Sequence, residues 1–449
     1  MKTLDAAMLW TPDGWRADAG FDIDDQGRIQ ALQAAEPTAS ASWVVPGIAN
    51  LHSHAFQRAM AGMAERQTNP EDSFWTWRET MYRFAARFTP EILHAVATQL
   101  YAEMLEAGYT TVCEFHYLHH APDGRPYDDP AAMSRALIAA AHEAGIRLTL
   151  LPVLYMTGGF DGRPLGERQR RFGHDVDSYL ALIDMLCEDV SPTLHVGCAL
   201  HSLRAVPPDA MRAVLNALPP AMPVHIHIAE QVGEVQDCVA IRNARPVEWL
   251  LGNAAVDSRW TLVHATHLTP AETRGIARSE ATVAICPTTE ANLGDGLFPL
   301  RDYLDAGGRW GVGSDSHISV SPVEELRWLE YGQRLSTRHR NIAVRADSPS
   351  VGETLLRDVA RSARQSSGHA MGTFAPGEFA DAVVLDTDAP QLFGLAPHDA
   401  IDRWIFSGNR NLVRDVYVGG RRVVEGGHHV QRAAIAARYR AAIAKLMAE

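Results

Sequence analysis

No apolar run in this 449-residue chain reaches the roughly 18 residues that a membrane-spanning helix needs. The opening stretch MKTLDAAMLWTPDG carries one Lys and lacks a long apolar region ahead of a small-residue cleavage site, so no secretory signal is expected. None of the five cysteines (Cys113, Cys187, Cys198, Cys238, Cys286) forms a C-x-x-C pair. Most lie in apolar stretches such as HVGCAL and TVAICP, the usage of buried, reduced thiols in a cytosolic protein. Basic runs are missing as well, and the formal net charge is −13, so nothing invites nucleic acid. Such a chain repels an acidic ligand at long range, although salt screens this beyond roughly 10 Å. An acidic substrate would therefore need specific arginines. Repeats, low-complexity blocks and long linkers are also lacking.

What is present is a long alternation. The apolar and charged fractions are those of a globular protein. From about residue 47 to 373, apolar strand-like runs alternate with helical patterns. Eight runs can be read: IANLHSHAF, TTVCEFHY, RLTLLPVLY, HVGCALHS, PVHIHIAE, WTLVHATH, ATVAICPTT and WGVGSDSH. Helical patterns such as PEILHAVATQLYAEMLEAG fall between them. Eight parallel strands with helices between is the count of a closed (β/α)8 TIM-type barrel, an α/β fold. Both chain ends read differently, as short Val-rich segments bounded by Gly and Asp, for example TPDG and DVYVGGRRVVEGG. Residues 1–46 and 374–430 are expected to form one small β-sandwich domain, the alternative being two independent edge hairpins. An Ala-rich helix is expected over 431–449, packed on the barrel or a second subunit.

The twenty histidines matter by position. His52 and His54 lie two apart in NLHSHAF, so a strand points both to one face. HIHIAE repeats the spacing: His227 lies near the strand end, Glu230 follows where strand gives way to loop, and His225 sits deeper, where a packed core role is expected. VHATH supplies His264 and His267, and GVGSDSH supplies Asp315 after small residues that let backbone crowd near a site. Each signal is soft alone. Together they place imidazoles and a carboxylate at the ends of strands one, five, six and eight, where this barrel carries its active site. That donor set suits Zn²⁺ with an open position for water, while iron or manganese would tolerate it.

At these residues the sequence resembles the amidohydrolase superfamily. PGIANLHSHAF is similar to its first-strand H-x-H, HIAE to the H-x-x-E of its deaminase branch, His264 to its sixth-strand histidine, and Ser314–Asp315 to its eighth-strand aspartate. The resemblance implies one metal per subunit, held by His52, His54, His227 and Asp315, with His264 nearby. Strand four ends ALHSLRAV, without a lysine to carbamylate, which argues against the binuclear branch. A zinc-bound water of pKa about 7 supplies hydroxide at neutral pH. Expelled ammonia needs a proton, and Glu230, just past a metal ligand, is the candidate shuttle. Asp315 is expected to bind metal and accept a proton from the water, and His264 to hydrogen-bond the hydroxide or polarise the reacting group. The plainer roles are a helix cap for Glu230 and packing for His264.

Further polar residues stand near strand ends: Gln57, Arg78 in an aromatic-rich insertion, Tyr117, His201 and Arg204. Two arginines, a tyrosine and a histidine fit a small ligand with two carboxylates. PGIANLHSHAFQRAMAGMAE resembles the signature of the formimidoylglutamate deiminase branch, and these five residues fall where its substrate-binding residues fall. The resemblance implies zinc-dependent conversion of N-formimino-L-glutamate and water into N-formyl-L-glutamate and ammonia, a reaction of histidine degradation, in a cytoplasmic enzyme. A homodimer is expected, and no nucleic-acid or membrane partner. The nearest alternative is a deaminase of guanine, cytosine or an adenosine derivative, with the same metal residues and a different pocket. A non-catalytic scaffold barrel is a second alternative, against which the intact metal set and Glu230 argue. The other zinc deaminase signature, H-x-E with P-C-x-x-C, is excluded because Cys286–Pro287 has the wrong order and no second cysteine follows.

Overall fold

The computed structural model describes residues 2–35, 42–66 and 74–448. Residues 36–41 of the expected end domain and Glu449 of the expected terminal helix lie outside the described residues. All eight predicted runs are strands: Ile48–Ser53, Tyr109–His116, Arg147–Leu154, Cys198–Ser202, Val224–Ile228, Trp260–His264, Thr282–Ile285 and Arg309–Val312, here strands one to eight. They pair in parallel in chain order. A parallel bridge between Ser53 and Asp315 joins the last strand to the first. His54 N–H donates to Asp315 O (3.2 Å) and Asp315 N–H to His52 O (3.0 Å), so the barrel closes at the predicted metal residues. Gly313 permits this approach: a Cβ there would lie 2.7 Å from His52 Cβ.

The reasons for these elements are local. Barrel strands are covered on both faces, hence their near-continuous apolar runs. The helix Pro90–Ala107 starts where Thr89 accepts the Ile92 N–H with Pro at the first turn, and stops at Gly108 in the left-handed region (φ +105°). The HVGCALHS run is interrupted. Leu194–Val196 pairs with strand three, and a one-residue break at Gly197, where a Cβ would lie 2.6 Å from Leu151 Cδ2, precedes strand four.

The two chain ends join in a single eight-stranded ladder. Ala382–Leu385 pairs antiparallel with Trp43–Pro46, which lies parallel to Lys2–Thr11, and hairpin strands continue the sheet on both sides. One buried ion pair ties this sheet to the base of the barrel. Arg147, the first residue of strand three, donates to both carboxylate oxygens of Asp381 (2.7 and 3.0 Å). The terminal helix Arg432–Met447 packs on Pro90–Ala107.

Candidate active site

Strands one, four, five and six, and the segments just past strands two, three and eight, deliver side chains to one mouth. From strand one come His52 and His54, whose Nε2 atoms are 3.1 Å apart. His227, in strand five, places its Nε2 3.0 Å from that of His52. Asp315 Oδ1 lies 3.4 Å from His52 Nε2 and 3.3 Å from His54 Nε2. These four atoms crowd one point. Second contacts fix which lone pairs they offer: His54 Nδ1–H donates to Phe115 O (2.8 Å), and His227 Nδ1–H to His201 O (3.0 Å). Burial and neighbouring imidazoles push the pKa of all three histidines down, that of His54 to about 3. A neutral ring with its proton on Nδ1 has a bare Nε2. Bare nitrogens of His54 and His227 therefore face the same point, with no proton of their own to bridge them. Ligands about 2.05 Å from a tetrahedral centre lie roughly 3.3 Å from one another. Three imidazoles and a carboxylate at this spacing fit a divalent cation.

Glu230 and His264 flank the cluster. His264 Nε2 is 3.8 Å from Glu230 Oε1 and 3.9 Å from Asp315 Oδ2. On the far edge of the ring, Nδ1 lies 3.2 Å from Glu290 Oε1. Burial pulls the His264 pKa down, but Glu230, Glu290 and Asp315 outweigh it and carry it to about 10. Glu230 moves to about 7, through burial first and then the charges of Asp315, Glu234 and Glu290, with His264 pulling the other way. Glu234 accepts the N–H groups of Ala229 (3.1 Å) and Glu230 (3.0 Å) and so holds the turn that aims Glu230. Ala229, His264, Ala265, Asp315 and His317 all have left-handed backbone, a strained state for non-glycine residues that gathers at this mouth.

The five residues read as substrate-binding line the cavity over this cluster. Gln57 Nε2 donates to Tyr117 OH (2.8 Å), and among the described residues its buried Oε1 has no hydrogen-bond partner. His201 Nδ1 is 3.1 Å from Ser202 Oγ. Arg204 donates to Tyr155 OH (3.4 Å). Burial lowers the Arg204 pKa, but Tyr155 and Glu234 reverse this and leave it above the ordinary arginine value. Arg78 reaches the cavity from the helix Phe74–Ala85, its guanidinium 5.2 Å from the Tyr82 ring. That helix is clasped by the turn Glu167–Phe172: Arg168 pairs with Glu79, and Arg171 donates to the carbonyls of Ala85 and Phe88.

Two histidines of the same motifs fall outside the cavity lining. His225 Nε2–H donates to Ser366 O (2.9 Å), and His267 lies beside Gly296, its Nε2 without a hydrogen-bond partner among the described residues. Three lining or supporting residues escaped the sequence reading. Tyr155 directly follows strand three, so the strand-end rule applied there would have found it. Glu290 stands one residue past the seventh predicted run. Glu234 carries no signal of its own in a helical, polar stretch.

Comparison with known proteins is consistent with this geometry. The amidohydrolase family profile matches residues 43–423. A formimidoylglutamate deiminase from Pseudomonas aeruginosa is 50% identical over 437 residues, 96% of each chain. An 8-oxoguanine deaminase from the same organism is 27% identical across 98% of this chain and 97% of its own. The crystal structure of an amidohydrolase from Brucella melitensis superposes with a TM-score of 0.94 at 42% identity, covering both chains completely.

Proposed function

Because the chain belongs to the amidohydrolase family, we propose that its C–N hydrolysis is the zinc-dependent deimination of N-formimino-L-glutamate to N-formyl-L-glutamate and ammonia, in histidine degradation. The observation that carries this reading is the meeting of two guanidinium groups, Arg78 and Arg204, in the cavity that covers the imidazole–carboxylate cluster. In a chain of net charge −13, two such cations beside a metal site favour a ligand with two carboxylates. Aromatic content does not discriminate, because Trp77, Tyr82, Tyr155 and Phe172 line the same cavity and would also suit a nucleobase.

His52, His54, His227 and Asp315 are assigned to hold the metal. A bound Zn²⁺ supplies the Lewis acidity that lowers the pKa of a water from 15.7 to about 7. Glu230 takes a proton from the attacking water and returns it to the departing nitrogen. The water oxygen bonds to the formimino carbon, its second proton follows by way of Asp315 to the same nitrogen, the bond from that carbon to its terminal nitrogen breaks as the formyl C=O forms, and ammonia leaves carrying both protons of the water. His264 Nε2 faces the same space and hydrogen-bonds the attacking oxygen. Arg78, Arg204 and His201 hold the glutamate carboxylates, while Gln57 and Tyr117 form a hydrogen-bonded wall beside His54. The preference for zinc over iron or manganese, a homodimeric assembly and a cytoplasmic location belong to the same proposal.

The test is ammonia release by zinc-loaded protein given N-formimino-L-glutamate, guanine, cytosine, adenosine or 8-oxoguanine. Turnover of the first alone is expected. Turnover of a nucleobase instead would keep the metal chemistry and discard the roles of Arg78 and Arg204.

A further inference from the structure

Glu290 is buried, ionisable and unused by the steps above. It sits on the short helix Pro287–Leu293 after strand seven. Its Oε1 accepts the Cys286 N–H (2.8 Å) and lies 3.2 Å from His264 Nδ1. Among the described residues, His264 is the only basic side chain within ion-pair distance of it. The His264 ring lies nearly parallel to that of His227, 14° between planes and 5.6 Å between centroids. That packing sets the plane of the ring. It does not set which edge faces the cavity, because a half-turn about the Cβ–Cγ bond keeps the plane and exchanges a nitrogen for a C–H. A carboxylate behind the ring removes the ambiguity: it accepts from Nδ1–H and gains nothing from C–H.

We infer that Glu290 is a positioning residue for the hydrolytic reaction, holding His264 by Nδ1–H so that Nε2 is presented to the reacting atoms. The inference rests on the assignment of His264 above. It gives a carboxylate–imidazole pair the task that such pairs perform behind metal ligands, where losing the outer partner costs about 10- to 100-fold.

The experiment compares zinc-loaded wild type with Glu290→Gln, His264→Gln and the double variant. Gln keeps the volume and an oxygen for the Cys286 N–H, so the helix turn is retained. Glu290→Gln is expected to lower kcat for N-formimino-L-glutamate tenfold or more, with KM within twofold and one metal per chain. In the His264→Gln background the same change is expected to add nothing further. Wild-type kcat in Glu290→Gln, or losses that multiply in the double variant, would overturn the inference. So would two metals per chain with one lost in Glu290→Gln, since His264, Cys286 and Glu290 would then be a second cation site. Histidine ¹⁵N spectra test the pairing without substrate, the His264 signal being assigned by its absence in His264→Gln. A protonated Nδ1 whose resonance moves in Glu290→Gln supports the pairing even if N-formimino-L-glutamate proves the wrong substrate. An unmoved resonance overturns it.

Discussion

The two ends of the barrel treat buried polar groups in opposite ways. At the base, Asp381 receives Arg147 on both oxygens, and Oδ1 also takes the Gly419 N–H (2.7 Å). The third arm of Arg147 donates to Pro192 O (2.7 Å), and Phe379 lies under the guanidinium at 3.4 Å. Every charge there is answered. At the mouth, bare imidazole nitrogens face one another, and Glu230, Glu234, Glu290 and Asp315 crowd around one histidine on strained backbone. A protein tolerates such a region only where the rest of the fold over-determines it. The base supplies stability, and the mouth keeps unmet demands for a cation and a substrate. Substitutions at the two ends should therefore separate activity from stability.

The largest effect is expected at the mouth. Glu230→Gln removes the proposed proton shuttle and leaves the four residues assigned to the metal in place. Its kcat should fall by about 10² to 10⁴-fold, the usual contribution of general acid–base help. Thermal midpoint and bound metal should not fall, because the change also removes a buried carboxyl crowded by like charges. Steady-state ammonia release, metal analysis and a thermal scan check the three parts. Wild-type turnover would end the assignment of Glu230.

The base should show the reverse pattern. Arg147→Met leaves Asp381 buried, with its charge unpaired. Breaking such a pair costs about 3–5 kcal/mol, although exchanging both partners for apolar residues is often neutral. Chemical denaturation should report that loss, while kcat/KM of the folded fraction stays within twofold of wild type. A large fall in kcat/KM at low denaturant would mean that the two ends are coupled and the contrast is wrong.

This contrast also marks what could be read from sequence. His52, His54, His227 and Asp315 were legible because a strand has period two and a barrel gathers its strand ends, so residues far apart in the chain acquire a common address. The eight runs were legible for the same reason, their faces being apolar on both sides. Partners that act through another side chain were not. Glu290 meets His264 because strands six and seven are neighbours in the barrel, although the two are 26 positions apart in the chain. Arg147 and Asp381 are 234 residues apart, and each by itself reads as an ordinary surface charge. The clasp of Arg168 on Glu79 likewise joins the turn Glu167–Phe172 to the helix Phe74–Ala85, with no hint of contact in either stretch. Local pattern locates a residue on an element; it does not choose the residue it will meet.

Within the mouth, the substrate wall should be milder than the shuttle. Arg204→Ala removes the charged partner proposed for one substrate carboxylate, about 1.5–3 kcal/mol of interaction. The kcat/KM for N-formimino-L-glutamate should drop at least tenfold, with metal content unchanged. Unchanged kcat/KM would take Arg204 out of the pocket and weaken the two-carboxylate reading.

The smallest effect should come from Glu353, at the seam between the end sheet and the outer helix Val351–Ser367. Trp10 Nε1–H (2.5 Å) and Trp15 Nε1–H (3.1 Å) both donate to its carboxylate. Burial nevertheless raises its pKa above the ordinary glutamate value, against the pull of the two indoles and Arg357. A carboxyl whose folded pKa is raised binds its proton more tightly in the folded state. Its contribution is complete below the unfolded pKa, near 4.3 on the model-peptide scale, and is lost as pH rises through the folded value. Gln at this position does not titrate. The thermal midpoint of wild type minus that of Glu353→Gln should therefore grow as pH falls from about 8 to about 5. Kinetic constants, measured at one pH, should match between the two proteins. A difference that shrinks on acidification would show the indole hydrogen bonds outweighing burial, and Glu353 would then join Asp381 as a fully answered charge of the base.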